Sequence, residues 1–280
     1  MKLAQKIAIG YLRARLNMLA VISPAKAAEQ ALRLFSTPQS RLKKAAPDIF
    51  KTSERLVFKL HGKKVTGFRF NHPQPKKLLI LHGFESSCYN FDHFISRGIE
   101  QGYEVLAFDA PAHGLSEGKT IRLSDYVDMI ARIVELYGLV QSFICHSYGG
   151  LAIAHYLETV KHDHRTRVAM IAPATETTTA MHSFFHFLQL NDTVRREFEA
   201  LFHKKTGAWP EHFSIRRAMK HIHASVLWIH DEDDKITPLR DVLPLKEKNF
   251  PNIEFMFTNG LGHRRIYRDT AVNNKIFSFL

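Results

Sequence analysis

Ser142-Phe143-Ile144-Cys145-His146-Ser147-Tyr148-Gly149-Gly150-Leu151-Ala152-Ile153-Ala154 runs from four strand-like residues, through one serine, into a helix start built of small residues. The first part is too short for a helix and reads as a buried strand. A sharp strand-to-helix turn there exposes the hydroxyl of Ser147. The new helix then aims its free N–H groups and the positive end of its dipole at the same point, where charge growing on a substrate oxygen would be stabilised. Glycines after the serine let that helix pack close to the sheet.

Outward from this turn the chain alternates. Short apolar runs at Lys77–His82, Glu104–Phe108, Phe143–His146, Val168–Ala172, Val226–His230 and Ile253–Phe257 are separated by helical stretches at Phe91–Gln101, Leu123–Tyr137, Leu151–Lys161 and Leu239–Phe250. This alternation predicts a mainly parallel sheet covered by helices on both faces. Leu56–Leu60 and Lys64–Phe70 read as an antiparallel hairpin in front of it. Ligands of such sheets bind beyond the carboxyl ends of the strands. His82-Gly83-Phe84, Asp109, Ser147, the acids Asp231 to Asp234 and His263 all fall at such ends, so one sheet edge collects them.

A hydroxyl is a poor nucleophile near neutral pH and needs a base, and the base in turn needs an orienting acid. The chain supplies them in the order serine, acid, histidine, which differs from both the chymotrypsin order and the subtilisin order. Together with His82-Gly83-Phe84, the loop Asp109 to Ser116, the elbow Cys145–Gly150, the loop His230 to Pro238 and Gly262-His263, this order resembles the α/β-hydrolase superfamily from about Leu56 to the C-terminus. Cys145 stands where the usual elbow has glycine. The resemblance implies an α/β-hydrolase fold and a serine hydrolase with a catalytic triad of Ser147, Asp234 and His263. Aligning on Pro238 favours Asp234 as the acid over Asp231. The backbone N–H groups of Phe84 and Tyr148 are the expected oxyanion hole. Asp109 and His113 are expected to brace their loop.

The implied reaction is cleavage of a carboxylic ester or thioester, a small-molecule substrate with an apolar acyl group, through an acyl-enzyme and without cofactor or metal. Acyl transfer or perhydrolysis would use the same residues. The alternative of another class is a ligand-binding or sensing protein on the same fold with little turnover.

Residues 174–222 break the alternation and read as a small helical lid. Phe184, Phe185, Phe187 and Leu188 either line the substrate pocket or pack the lid on the body. Val194, Phe198, Leu201 and Phe202 form one helical face there. Residues 54–280 are thus one domain with this insertion, and residues 1–53 are basic amphipathic helices outside it. Ile9, Leu12, Leu16 and Leu19 share one helical stripe, and Ala28, Ala31, Leu32 and Phe35 another.

Formal net charge is +12. Ten Lys/Arg against Glu29 and Asp48 give the first 53 residues 10 − 2 = +8. Two readings follow: residues 1–23 contact an anionic membrane, or the helices pack on the body and turn lysines to solvent. Nucleic acid is not expected, since no phosphate-cradling loop or aromatic RNA-binding pattern accompanies the charge. His162-x-His164 and His221-x-His223 lack further ligands at a metal-site spacing. Two cysteines, no span-length apolar run and no signal-peptide pattern suggest a cytoplasmic, reducing location, with membrane contact only peripheral.

Overall fold

The computed structural model describes residues 3–39 and 45–280. Of the ten N-terminal cations, Lys2, Arg41, Lys43 and Lys44 lie outside the described residues, as does the side chain of Lys6. The described strands are β1 (Glu54–Leu60), β2 (Lys63–Phe70), β3 (Lys77–Leu81), β4 (Glu104–Phe108), β5 (Ser142–His146), β6 (Arg167–Ile171), β7 (Ser225–Asp231) and β8 (Ile253–Thr258). The helices are α1 (Leu3–Ile22), α2 (Pro24–Phe35), α3 (Asp92–Glu100), α4 (Leu123–Tyr137), α5 (Tyr148–Leu157), α6 (Thr177–Leu188), α7 (Asp192–Thr206), α8 (Ile215–Ala218), α9 (Leu243–Lys248), α10 (Gly262–Arg265) and α11 (Thr270–Phe279).

The chain divides into two compact units, Met1–Thr37 with Glu176–Ser214, and Pro38–Thr175 with Ile215–Leu280. In the larger unit the strands form one sheet in the order β1-β2-β4-β3-β5-β6-β7-β8. β1, β2 and β4 pair antiparallel, and all other neighbours pair parallel. The β1–β2 hairpin turns on His61 and Gly62, both at positive φ, the backbone that a two-residue turn needs to match strand twist.

Residues of the central strands alternate between two cores. Leu79, Leu81, Phe143, Cys145, Val168, Met170 and Trp228 face one side with Tyr126, Met129 and Ile133 of α4 and Ile153 of α5. Leu78, Ile80, Ile144, Ala169, Ile171 and Ile229 face the other with Phe94 and Ile95 of α3 and Ile276 of α11. Burial on both faces explains why these strands read as continuous apolar runs.

The smaller unit has its own core, in which Ala27, Ala28, Ala31 and Leu32 of α2 meet Met181 and Phe185 of α6 and Val194 and Phe198 of α7. Ser23 caps α2 and Asn191 caps α7 through their side chains, each satisfying one of the helix's unpaired N–H groups. Two of the stripes legible in the sequence thus pack against each other. Leu16 and Ala20 of α1 are buried, whereas Ile7, Tyr11, Met18, Val21 and Ile22 stay exposed.

Candidate active site

Ser147 follows β5 and is the N-cap of α5, with φ 53° and ψ −117°. This is a costly backbone for a residue with a Cβ, and the surroundings impose it. Its N–H donates to Ile171 O (3.1 Å) and its carbonyl accepts from Gly150 N (2.9 Å). Gly149 permits the turn: a Cβ there would lie 2.5 Å from Leu81 O and 2.9 Å from His82 O, so α5 approaches the end of β3 across bare backbone. Cys145 places its side chain in the core beside Leu81 and Met170 rather than in the turn. Burial holds its thiol well above its ordinary pKa, which suits an inert packing residue.

His263 Nε2 lies 3.1 Å from Ser147 Oγ, and His263 Nδ1 lies 2.7 Å from Asp234 Oδ2. A carboxylate only accepts, so the imidazole proton sits on Nδ1 and Nε2 is free to accept from the serine. Asp234 is nearly buried. Its Oδ1 takes the N–H groups of Ile236 (2.8 Å) and Thr237 (3.0 Å), and Thr237 Oγ1 lies 2.8 Å from Oδ2 and 3.2 Å from His263 Nδ1. Burial would raise the Asp234 pKa, but the His263 contact and these amides outweigh it and hold the acid below its ordinary value. The structure therefore brings Ser147, Asp234 and His263 into one line of hydrogen bonds. It places Asp231 elsewhere, against the N–H groups of Leu261 (3.0 Å) and Gly262 (2.8 Å).

Beside this line lies the loop after β3. A Cβ on Gly83 would stand 2.9 Å from Ser147 Cβ, so the main chain leading into Phe84 runs against the serine. Tyr148 N–H opens α5 and is outside its internal hydrogen-bond ladder. His82 pins the loop: its Nδ1–H donates to Gly83 O (2.7 Å) and its Nε2 accepts from Ala110 N (2.9 Å). Burial lowers its pKa to about 4, which keeps the acceptor available. Asp109 takes Cys88 N (2.9 Å) and Leu115 N (2.8 Å), and His113 Nε2 accepts from Glu85 N (3.1 Å). Both brace loops at the sheet edge.

In the smaller unit Phe185 and Leu188 are buried, and Phe184 and Phe185 pack edge-on against Phe35 and Phe198 respectively. Phe187 is exposed beneath the guanidinium of Arg13, which donates to Phe187 O from Nε (2.8 Å). His162 Nε2 accepts the main-chain N–H of His223 (2.9 Å).

Sequence reasoning passed over three residues of the site. Thr237 bonds the acid. His230 donates to Thr237 O (2.7 Å) and so fixes that turn. His146 donates from Nε2 to His263 O (3.0 Å). Adjacency to Ser147 was the available signal for His146, and His230 and Thr237 lie in the acid-bearing loop His230 to Pro238, where nothing local gives them a role.

Residues 72–207 match the family model described as serine aminopeptidase, S33. A segment of 77 residues is 31% identical to epoxide hydrolase B of Mycobacterium tuberculosis, covering 26% of this chain and 22% of that protein's length. Among solved structures, an esterase of Pyrococcus furiosus is 20% identical with a TM-score of 0.65, over 88% of this chain and 97% of that one. A serine hydrolase of the polyaromatic-hydrocarbon-degrading bacterium Cycloclasticus zankles is 16% identical with a TM-score of 0.59, over 81% and 98%. These likenesses establish the fold.

Proposed function

We propose that the chain, whose fold is that of the α/β hydrolases, is a serine hydrolase cleaving carboxylic esters or thioesters through an acyl-enzyme. The observation that carries this reading is the line Asp234–His263–Ser147 at 2.7 and 3.1 Å. His263 Nε2 takes the Ser147 proton as Oγ attacks the acyl carbon, and Asp234 steadies the imidazolium that forms. The N–H groups of Phe84 and Tyr148 receive the oxyanion. His263 then protonates the departing alcohol or thiol, and afterwards draws a proton from the water that releases the acid and restores Ser147. An acceptor alcohol or amine in place of water would give acyl transfer. Cys88 and Cys145 are free and buried, which fits a reducing, cytoplasmic location.

Intact-mass spectrometry after fluorophosphonate treatment, with peptide mapping, tests the assignment. The expected adduct is on Ser147 and disappears in His263→Ala. Turnover is then compared on p-nitrophenyl esters, acyl thioesters and aminoacyl p-nitroanilides, with esters and thioesters expected to lead. Folded protein that takes no adduct and turns over none of them would favour a ligand-binding role instead.

A second reading concerns α1. Among the described residues no helix is long and apolar enough to cross a membrane, yet Ile7, Tyr11, Met18, Val21 and Ile22 are between 64% and 86% exposed. Their spacing makes one apolar face, and α1 carries Lys6, Arg13 and Arg15 with no acidic residue. This face is proposed to lie on an anionic membrane surface. Replacing Tyr11, Met18 and Val21 together by serine leaves the buried Leu16 and Ala20 in place. It should abolish co-sedimentation with phosphatidylserine vesicles, and unchanged sedimentation would refute the contact.

A further inference from the structure

We propose that Asp231 and His146 are positioning residues that clamp the main chain on the two sides of His263 and so keep its imidazole in reach of Ser147. The inference rests on the serine-hydrolase reading and adds to it what holds the base in place.

The loop that delivers His263 needs holding. It runs Asn259-Gly260-Leu261-Gly262, and both glycines have positive φ, 77° and 62°. Glycine allows that path but gives up more conformational freedom to adopt it than any other residue. Gly262 directly precedes the base.

Asp231 ends β7 and is fully buried. Its Oδ1 accepts from Gly262 N (2.8 Å) and Asp233 N (3.1 Å), and its Oδ2 from Leu261 N (3.0 Å) and Thr258 Oγ1 (2.7 Å). Four donors surround one carboxylate. Burial alone would raise its pKa, but these hydrogen bonds keep the group below its ordinary value, so it stays ionised and its bonds to the loop are charge-assisted. Two of the four donors are the N–H groups immediately before His263, so this carboxylate ties the end of β7 to the approach of the base.

His146 ends β5 and reaches the other side of the same residue, donating from Nε2 to the His263 carbonyl (3.0 Å). Burial lowers its pKa to about 3, so the ring is neutral and carries its proton on Nε2. Its Nδ1 has no hydrogen-bond partner among the described residues. The ring also packs against the His263 imidazole, with centroids 4.7 Å apart, and against Tyr267 at 4.8 Å, so His146 meets both the carbonyl and the ring of the base. The N–H groups ahead of His263, its carbonyl and its imidazole are therefore gripped by three different side chains, Asp231, His146 and Asp234.

The test uses the full-length chain and four variants: Asp231→Asn, His146→Leu, His146→Gln and, as reference, Ser147→Ala. The rate of fluorophosphonate labelling is read by intact mass, kcat and KM are measured on p-nitrophenyl butyrate, and melting temperature reports folding. In Asp231→Asn the new amide NH₂ faces an N–H donor, so one strand of the clamp opens. A misplaced base costs about 10²-fold. Asp231→Asn and His146→Leu should each label about 10²-fold more slowly, with kcat reduced alike and KM within about threefold. The glutamine amide in His146→Gln can present an N–H where Nε2–H stood, and it should label at least about tenfold faster than His146→Leu. A packing role alone would lower the melting temperature without this rescue. If Asp231→Asn does not fold, the His146 pair decides. Folded variants labelled at the wild-type rate, or a glutamine no better than leucine, would overturn the clamp. If Ser147 of the wild-type chain takes no label, the hydrolase reading falls first and the clamp with it.

Discussion

Replacing Asp234 by asparagine should separate catalysis from folding. Oδ1 accepts two main-chain N–H groups, from Ile236 and Thr237, so the asparagine oxygen must occupy that position. Its NH₂ then replaces Oδ2, 2.7 Å from His263 Nδ1. An NH₂ only donates, so His263 Nδ1 becomes an acceptor and the imidazole proton moves to Nε2, pointing at Ser147 Oγ. The base can no longer take the serine proton. A wrong tautomer of this kind lowers kcat about 10⁴-fold, equivalent to about 5.4 kcal/mol at about 1.36 kcal/mol per decade. Stability should fall far less, by about 1–3 kcal/mol, because every bonded atom keeps a partner once Thr237 Oγ1 turns to accept. Steady-state kinetics on an ester that the wild-type chain hydrolyses, beside urea unfolding of both proteins, makes the comparison. A folded Asp234→Asn within tenfold of wild-type kcat would refute the assigned line of hydrogen bonds.

Gly149→Ala should be poorly tolerated, since its methyl would meet Leu81 O at 2.5 Å; a loss of about 1–3 kcal/mol is expected in urea unfolding, together with slower fluorophosphonate labelling. Acid should destabilise the chain early. His82 and His146 have folded pKa values of about 4 and about 3, whereas the unfolded chain binds those protons near the ordinary value of about 6.5. Their neutral burial thus contributes stability above about pH 6.5 that is lost as pH falls towards 3–4. From pH 7 to 5 the two together should cost about 4 kcal/mol, and a fall unchanged in a His82→Gln, His146→Gln variant would refute this cause. Phe198→Ala, in the core of the smaller unit and ringed by Phe35, Phe184 and Phe185, should cost about 3–5 kcal/mol, read as faster limited proteolysis within residues 176–214.

Much of the larger unit was legible because its signals are local. Strands buried on both faces announce themselves as apolar runs, and the hairpin is marked by His61-Gly62 between two alternating segments. The elbow was legible for the same reason. Ser147, Asp234 and His263 could be nominated because each sits just past a strand end, and the structure joins them. The roles of Asp231, Thr237 and His146 were not legible, since they depend on which carboxylate oxygen or ring nitrogen reaches which loop, a matter of ångströms between segments far apart in the chain. Adjacent acids such as Asp231 and Asp234 look alike in sequence, and only the fold turns one toward the imidazole and the other toward the amides before it. The stripes on α2 and α7 were each readable as amphipathic faces, but neither names its partner.

That pairing bears on how the chain is made. Phe35 and Phe198 touch, yet 163 residues separate them, and β1 to β6 are synthesised in between. At about 5–20 residues per second, the apolar stripe of α2 waits roughly 8–30 seconds on the ribosome before α7 emerges to cover it. During that interval Ala28, Leu32 and Phe35 are open to a chaperone or to another nascent chain. The smaller unit is therefore the part of the molecule whose yield should respond most to translation speed.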